Sequence, residues 1–234
     1  MFGRRVTTRA VLAEAVGTFL LVAAVVGSAI AAFDLSPDPG VALFANAALT
    51  GAALFALIGA FGHVSGAHFN PVVSVAEAAR GTFAWRAVPA YVAAQVAGGT
   101  LGAIVANVMF ERPAAAFSTT NRVTAAHVLA EVVATAGLVL VIHGVGSSRP
   151  GHVGAAVGAY IAAAYFFTSS TSFANPAVTV ARVFTDTPSG IAPASAPAFI
   201  VAQVVGGGIA LGLGRVLFGA TAVAAAPLEP APRG

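Results

Sequence analysis

The sequence contains three motifs that occur twice, in the same order. The paired segments are LAE at 12–14 and 129–131, NPVVSVA at 70–76 with NPAVTVA at 175–181, and AYVAAQVAGG at 90–99 with AFIVAQVVGG at 198–207. Three anchors in one order are not expected by chance, even in an apolar chain. The two halves should therefore share one fold built from a duplicated unit.

Six apolar segments are long enough to cross a bilayer, which takes about 20 helical residues. They cover residues 11–33, 41–62, 86–110, 124–146, 152–169 and 194–218. The chain is 58% hydrophobic and 8% charged, whereas a soluble domain carries about 25% charged residues. We expect an all-α membrane protein. The N-terminus also has the features of a signal peptide, but its apolar run is of spanning length and carries Glu14, so we interpret it as the first spanning helix.

Each half contains three spans, an odd number, so the second half enters the membrane from the opposite side and the repeat is inverted. One side of the membrane is predicted to carry Arg4, Arg5, Arg9, Arg80, Arg86, Arg149 and Arg233. The other side would carry Asp34, Asp38, Glu111, Arg112, Arg122, Arg182 and Asp186. Because cytoplasmic loops are enriched in arginine, both termini are expected in the cytoplasm.

The predicted organisation follows from these spans. Residues 1–10 form a cytoplasmic segment, and residues 11–110 form the first repeat with a half-helix at 70–80. An extracytoplasmic loop covers 111–123. Residues 124–218 form the second repeat with a half-helix at 175–184, and residues 219–234 form a cytoplasmic tail.

Both short apolar segments begin with Asn-Pro and are too short to span. Proline is favoured in the first helical turn, and asparagine before it is a good N-cap. Ten residues of helix cover about 15 Å, or half a bilayer. One such segment alone would indicate only a capped turn. Two segments at equivalent places of an inverted repeat predict half-helices whose N-termini, Asn70 and Asn175, meet near the midplane.

This arrangement predicts a narrow apolar pore with two amide donors at its centre. The amides can hydrogen-bond the oxygen of a neutral solute, while the facing helix dipoles oppose cations. Such a pore needs no catalytic residue, and we expect no enzymatic activity, cofactor or metal. The chain has no Cys, which excludes thiolate chemistry. Its arginines are scattered rather than clustered, so we expect no nucleic-acid partner.

Two further features concern the scaffold of the pore. Glu14 and Glu131 lie within spanning segments and are expected to accept hydrogen bonds from the backbone of the re-entrant loops. A role in proton relay is the alternative. The spacings Gly98–Gly102 and Gly208–Gly212 indicate close packing of the third and sixth spanning helices.

With these motifs the chain resembles the aquaporin (major intrinsic protein) family over residues 8–220. The matching residues are SGAHFNPV at 65–72, Asn175, Pro176, Ala177, the pair Glu14 and Glu131, and the pair Gln95 and Gln203. The resemblance implies six transmembrane helices and two half-helices around an hourglass pore, in a bacterial inner (plasma) membrane. It also implies a homotetramer in the lipid bilayer, with one pore in each protomer.

The first signature, Asn70-Pro71-Val72, departs from the family's usual alanine. The bulk of Val72 is expected to narrow or tilt that end of the pore. His68 matches the family's usual histidine and is expected to line the cytoplasmic vestibule. His63 lies nearby, where a pH gate is an alternative role.

The resemblance also gives four positions of an outer selectivity filter. Transferred by spacing, they fall on Thr50, Ala163, Ser172 and Val178. Most relatives carry Arg at the last position, and water-selective relatives place an aromatic residue and a His in the ring. The present sequence offers none of these at the four positions. We therefore expect a wide, arginine-free ring.

Arg182 lies four residues after Val178, on the same face of the second half-helix. One hypothesis places its guanidinium in the outer vestibule, where it would attract polar oxygens and oxyanions. The alternative is a solvated arginine near a helix C-terminus, where the helix dipole favours it. Glu77 occupies the equivalent place in the first half and can pair with Arg80 at i, i+3.

Within the family, the sequence is similar to bacterial aquaglyceroporin-type channels in which Val replaces the filter Arg. Such channels are associated with arsenic detoxification. The resemblance implies passive conduction of small uncharged solutes: glycerol-like polyols, arsenous acid, methylated arsenicals and water. One alternative is a water-selective channel narrowed elsewhere, for example by Phe166 or Phe167. Another is a secondary transporter with inverted repeats, which would need a charged coupling site near the midplane.

Overall fold

The computed structural model describes residues 7–219. Within that range the chain forms eight α-helices joined by loops and three short 3₁₀ turns. The helices are α1 (Thr8–Leu35), α2 (Pro39–Ser65), α3 (Pro71–Ala79), α4 (Val88–Met109), α5 (Ala125–Ser148), α6 (Val153–Phe167), α7 (Pro176–Ala181) and α8 (Ala196–Phe218). The turns are Trp85–Ala87, Pro150–His152 and Arg182–Phe184. The predicted terminal segments fall outside the described residues, apart from residues 7–10 and 219.

Within residues 7–219, five helices are long and apolar enough to cross a membrane: α1, α2, α4 with its preceding turn, α5 and α8. The chain therefore has the architecture of a multi-pass membrane protein, in which the short helices α3 and α7 lie between the long ones. The sixth predicted span is shorter than expected, because α6 has 15 residues and covers roughly 22 Å. It ends at Phe167, after which Thr168 is already extended and begins the second re-entrant loop.

The helix termini follow local capping rules. Thr7 caps α1 by accepting a hydrogen bond from the Ala10 amide at 3.1 Å, and Asp38 caps α2 by accepting one from Gly40 at 2.7 Å. Thr124 caps α5 in the same way, at 3.1 Å from the His127 amide. Each cap pairs an amide that the helix itself leaves without a partner, so the entry angles of these helices are set locally.

The packing repeats between the two halves. Helix α1 packs against α2 and α4, and α5 packs in the same way against α6 and α8. A Cβ atom on Gly98 would collide with the Ala15 carbonyl of α1. In the second half, a Cβ on Gly206 would lie 2.5 Å from the Val132 carbonyl of α5. These glycines let the helix backbones touch.

One predicted packing pair is wrong. Gly98 and Gly102 both face α1, but a Cβ on Gly208 or Gly212 would meet no atom within 4 Å. The reason is the register of the repeat. Gln95 matches Gln203, so the counterpart of Gly98 is Gly206, and Gly208 lies on the opposite, outward face of α8.

Candidate solute pore

The two half-helices each begin at an Asn-Pro step. Asn70 Oδ1 accepts a hydrogen bond from the Val72 amide at 2.9 Å. Asn175 Oδ1 accepts one from the Ala177 amide, also at 2.9 Å. Each asparagine therefore uses its side-chain oxygen to cap its own helix, and its amide nitrogen remains to face other groups.

The amide nitrogens join the two halves. Asn70 Nδ2 donates to the Ala174 carbonyl at 2.8 Å, and Asn175 Nδ2 donates to the Phe69 carbonyl at 2.7 Å. The half-helices thus meet tip to tip, each tip bonded to the loop that enters the other. An amide nitrogen carries two hydrogens, so each asparagine keeps one donor for a passing solute.

A cavity of about 700 Å³ runs past both tips. It reaches from His63 to Arg182, and both asparagines lie on its wall. Apolar side chains such as Leu21 and Val157 form much of the remaining wall. Polar residues line both ends of the cavity, and the two asparagines lie where the half-helices meet.

Glu14 holds the first re-entrant loop. Its carboxylate is fully buried and accepts hydrogen bonds from the amides of His68 at 3.0 Å and Phe69 at 2.7 Å. It also accepts from the Ser65 hydroxyl at 2.6 Å and from Gln95 Nε2 at 2.7 Å. Four donors on one carboxylate make the buried charge tolerable.

Glu131 does the same for the second loop. It is fully buried and accepts from the amides of Phe173 at 2.9 Å and Ala174 at 2.8 Å. The Ser170 hydroxyl at 2.6 Å and Gln203 Nε2 at 2.7 Å complete the set. Both oxygens of each carboxylate therefore accept hydrogen bonds from the protein. Neither carboxylate has an oxygen left over for a proton relay or a coupling ion.

These bonds hold an unfavourable backbone. Ala67 and Phe69 have φ values of 49° in the first loop, and Ser172 and Ala174 have 50° and 47° in the second. A left-handed conformation costs a non-glycine residue roughly 1–2 kcal/mol. The charge-assisted hydrogen bonds that the two glutamates accept from the loop amides offset this cost.

Three of the four predicted filter residues lie on the cavity wall: Thr50, Ser172 and Val178. Ala163 does not, and its assignment is wrong. It is exposed on the outer face of α6, whereas Ile161 and Tyr165 line the cavity. Two residues of helix turn a side chain by about 200°, so counting across the irregular loop selected the opposite face.

Tyr165 brings an aromatic ring to the cavity wall beside Thr50, where the sequence predicted no aromatic residue. Its hydroxyl lies 3.2 Å from Thr50 Oγ1, which joins α6 to α2 across one side of the cavity. Ile161 and Tyr165 are spaced at i, i+4 and so lie on one face of α6, and this spacing could have indicated that Tyr165 faces the cavity. By contrast, Phe166 and Phe167 are more than half exposed on the outside of the bundle, so neither narrows the pore.

The expectation that Val72 narrows the pore is also wrong. Val72 does not line the cavity but packs with Ala76, Val139 and Ala210. A Cβ atom on Gly207 would collide with its Cγ1 atom. The extra bulk is therefore accommodated by a glycine in α8 rather than by the lumen.

The mouth near the end of α2 carries a polar cluster. His63 and His68 both line the cavity there, and His68 Nδ1 lies 3.0 Å from Ser74 Oγ. Glu77 pairs with Arg80 at 3.2 Å, as the i, i+3 spacing predicted. Sequence reasoning missed His143 of α5, whose Nε2 lies 3.4 Å from Glu77 Oε1, because nothing in the local pattern points to a partner on another helix.

Arg182 is not a solvated arginine. It is 2% exposed and lines the cavity, with its guanidinium carbon 3.4 Å from the centre of the Phe173 ring. The side chain therefore folds back towards the loop that enters α7. The solvated alternative is therefore wrong, whereas a guanidinium on the cavity wall agrees with the hypothesis that Arg182 faces the pore.

The fold and the cavity define a class: a membrane channel for small solutes, built from an inverted repeat with two half-helices. The profile of the Major intrinsic protein family matches residues 2–167, and the chain belongs to that family. The chain is 49% identical over 211 residues to the aquaglyceroporin AqpS of Rhizobium meliloti (strain 1021), with 90% of each chain covered.

More distant similarities agree with this placement. The chain is 41% identical over 99 residues to the aquaporin NIP1-2 of Arabidopsis thaliana, which covers 42% of this chain and 33% of the plant protein. The structure of the aquaglyceroporin from Plasmodium falciparum superposes with a TM-score of 0.72, covering 92% of this chain and 96% of that one at 21% identity. The latter similarity concerns the fold.

Proposed function

We propose that the protein passively conducts small uncharged solutes past the two asparagine amides. The observation that carries this proposal is the tip-to-tip contact of the half-helices, in which each asparagine retains one N–H donor beside the cavity. A neutral solute can exchange a hydrogen bond to water for one to an amide. Cations face the positive ends of two helices.

The solutes we propose are glycerol-like polyols, arsenous acid, methylated arsenicals and water. The support is the small side chain of Val178 on the cavity wall, at the position where most relatives carry Arg. The similarity to an aquaglyceroporin over 90% of the chain supports the same solute size. A neutral trihydroxy acid resembles glycerol in size and in the hydroxyl groups that it displays.

A water-selective pore is the second candidate, because Tyr165 and Thr50 meet across one side of the filter. Such a contact restricts the ring in a way that the sequence did not predict. A secondary transporter has less support, since both buried carboxylates are committed to the loops. A coupling ion needs ligands that remain free to change partner.

We further propose a homotetramer in the bacterial inner membrane, with both termini cytoplasmic. Gly208 and Gly212 lie on the outward face of α8, with open space around them. Small residues on a lipid-facing helix permit close approach of another helix. The arginine-rich loops support the orientation.

The test is stopped-flow light scattering on proteoliposomes, with water, glycerol and arsenous acid as solutes. The wild type should pass all three, and Val178→Arg should reduce glycerol and arsenous acid flux by about tenfold or more while water continues, because the guanidinium fills the ring. Val178→Ala serves as the uncharged control. If the wild type passes water alone, the pore is water-selective and Val178 does not set its size.

A further inference from the structure

Arg182 occupies the pore wall one helical turn beyond Val178. It lines the same cavity as Val178 and Ser172, yet it is 2% exposed. Its guanidinium lies over the ring of Phe173, the residue that follows Ser172 in the re-entrant loop. The Cα atom of Arg182 lies at the end of the half-helix, but its guanidinium lies next to the loop that precedes the half-helix.

The hydrogen bonding of this guanidinium is incomplete. Its Nε donates to the Ser189 carbonyl, which uses one of five donors. Within residues 7–219, Nη1 and Nη2 donate to no protein atom, and neither is among the buried polar atoms that are sealed without a partner. These nitrogens therefore open onto the cavity. Unpaired guanidinium donors are costly to bury, so an oxygen atom in the lumen is their natural partner.

A folded loop holds Arg182 in this position. The Ile191 amide donates to the Arg182 carbonyl at 3.2 Å. Arg122 fastens the same loop from the long connection between the repeats, donating from Nε to the Gly190 carbonyl at 2.7 Å and from Nη2 to Pro188 at 2.9 Å. The side chain is therefore positioned before any solute arrives.

The structure assigns to Arg182 the positive charge of the filter, supplied from one turn beyond the position where Val178 stands. We infer that its terminal nitrogens form a binding station for the hydroxyl or carbonyl oxygens of neutral solutes, and that its charge repels cations. The pore then combines an open ring at Val178 with a recessed guanidinium, and is not charge-free. This inference rests on the proposed channel function and specifies how its filter discriminates.

The experiment compares wild type, Arg182→Met and Arg182→Lys in proteoliposomes. Proton and sodium leak under an imposed potential is divided by water flux in the same vesicles. Arg182→Met should raise this ratio by at least about tenfold, because a fixed charge in a poorly solvated pore is a large barrier to a like charge. Arg182→Lys keeps the charge and should keep the leak low. It loses the two-pronged donor set, so its glycerol flux should fall.

Arg112→Met is the matched control, since Arg112 pairs with exposed Asp34 at 2.8 Å and lies outside the cavity wall. It should leave the ratio unchanged. Arg182→Gln is a second neutral variant, and it replaces Arg182→Met in the comparison if Arg182→Met does not conduct water. Unchanged leak in a water-conducting neutral variant overturns the inference and leaves the channel proposal intact. Absence of solute and water flux in the wild type would instead overturn the channel proposal.

Discussion

The two re-entrant loops share a scaffold and differ in what they present to the lumen. Each has a buried glutamate, a capping asparagine and a glutamine that reaches the hydroxyl four residues after that asparagine: Ser74 at 3.1 Å and Thr179 at 2.9 Å. Seven residues after the asparagine, the first half-helix carries Glu77, and the turn that follows the second half-helix carries Arg182. One mouth therefore holds a carboxylate and the other a guanidinium.

This difference shows which parts of a duplicated unit can change. The buried glutamates and glutamines are hard to replace, because a substitution would leave the donors that they pair buried without a hydrogen-bond partner. A side chain at the wall of the cavity is constrained by what passes through the pore. Glu77 found partners in Arg80 and His143, whereas Arg182 retained donors for the lumen.

The largest expected effect comes from the shared scaffold. Glu131→Gln places an amide nitrogen among donors and should lower the free energy of unfolding by about 3 kcal/mol or more. Glu14→Gln should cost a similar amount if the halves are equivalent. Thermal unfolding in detergent, with water flux in liposomes, measures both. Glu111→Gln in the exposed connecting loop is the control, and a much smaller loss for one glutamate would show that the halves are not equivalent.

A smaller effect should distinguish the halves. Gly207→Ala forces a Cβ into Val72 and should cost about 1–3 kcal/mol of stability. Gly99→Ala, in the equivalent place of the first half, meets its neighbours at 3.3–3.4 Å and should cost less.

A second substitution, Val72→Ala, should restore the stability that Gly207→Ala loses. It brings back the alanine of the usual signature and makes room for the new methyl group. The double variant Val72→Ala/Gly207→Ala should therefore be more stable than the sum of the two single changes predicts, as measured by a double-mutant cycle. Strict additivity would contradict the contact between these residues.

The smallest effect is expected at Ser172. Its hydroxyl oxygen is buried without a hydrogen-bond partner in the described part of the chain, and the first loop already has alanine, Ala67, at the equivalent left-handed position. Ser172→Ala should change stability by less than about 0.5 kcal/mol. Chemical unfolding measures it. A loss above 1 kcal/mol would mean that the hydroxyl has a partner, such as an ordered water.

The scaffold was predictable from the sequence because both copies of each motif are present. Glu14 and Glu131, Asn70 and Asn175 stand out as pairs, and inverted symmetry brings each pair to the same loop. The helix bounds also followed from apolar length and Asn-Pro starts. The exceptions were α6, which ends early so that the second loop can begin, and α7, whose α-helical part ends at Ala181 and is followed by a 3₁₀ turn to Phe184.

The filter was less predictable because it joins segments across irregular backbone. Counting to Ala163 assumed a regular path through a loop that contains left-handed residues, and the path differs by about half a helical turn. The exact side-chain position of Arg182 was not predictable for another reason. The position of its Cα is set by the half-helix, but the direction of its side chain is set by Phe173 and Ser189, which no local pattern relates to it.

The reciprocal asparagine bonds have a consequence for biogenesis. Asn70 donates to a carbonyl of the second half, and Asn175 to a carbonyl of the first. A ribosome that has delivered only the first repeat has therefore made a half-helix whose tip has no acceptor across the midplane. The junction between the half-helices forms only when the second repeat has inserted with the opposite orientation. By the same logic, a single-repeat ancestor could have formed this junction only as an antiparallel pair of identical chains.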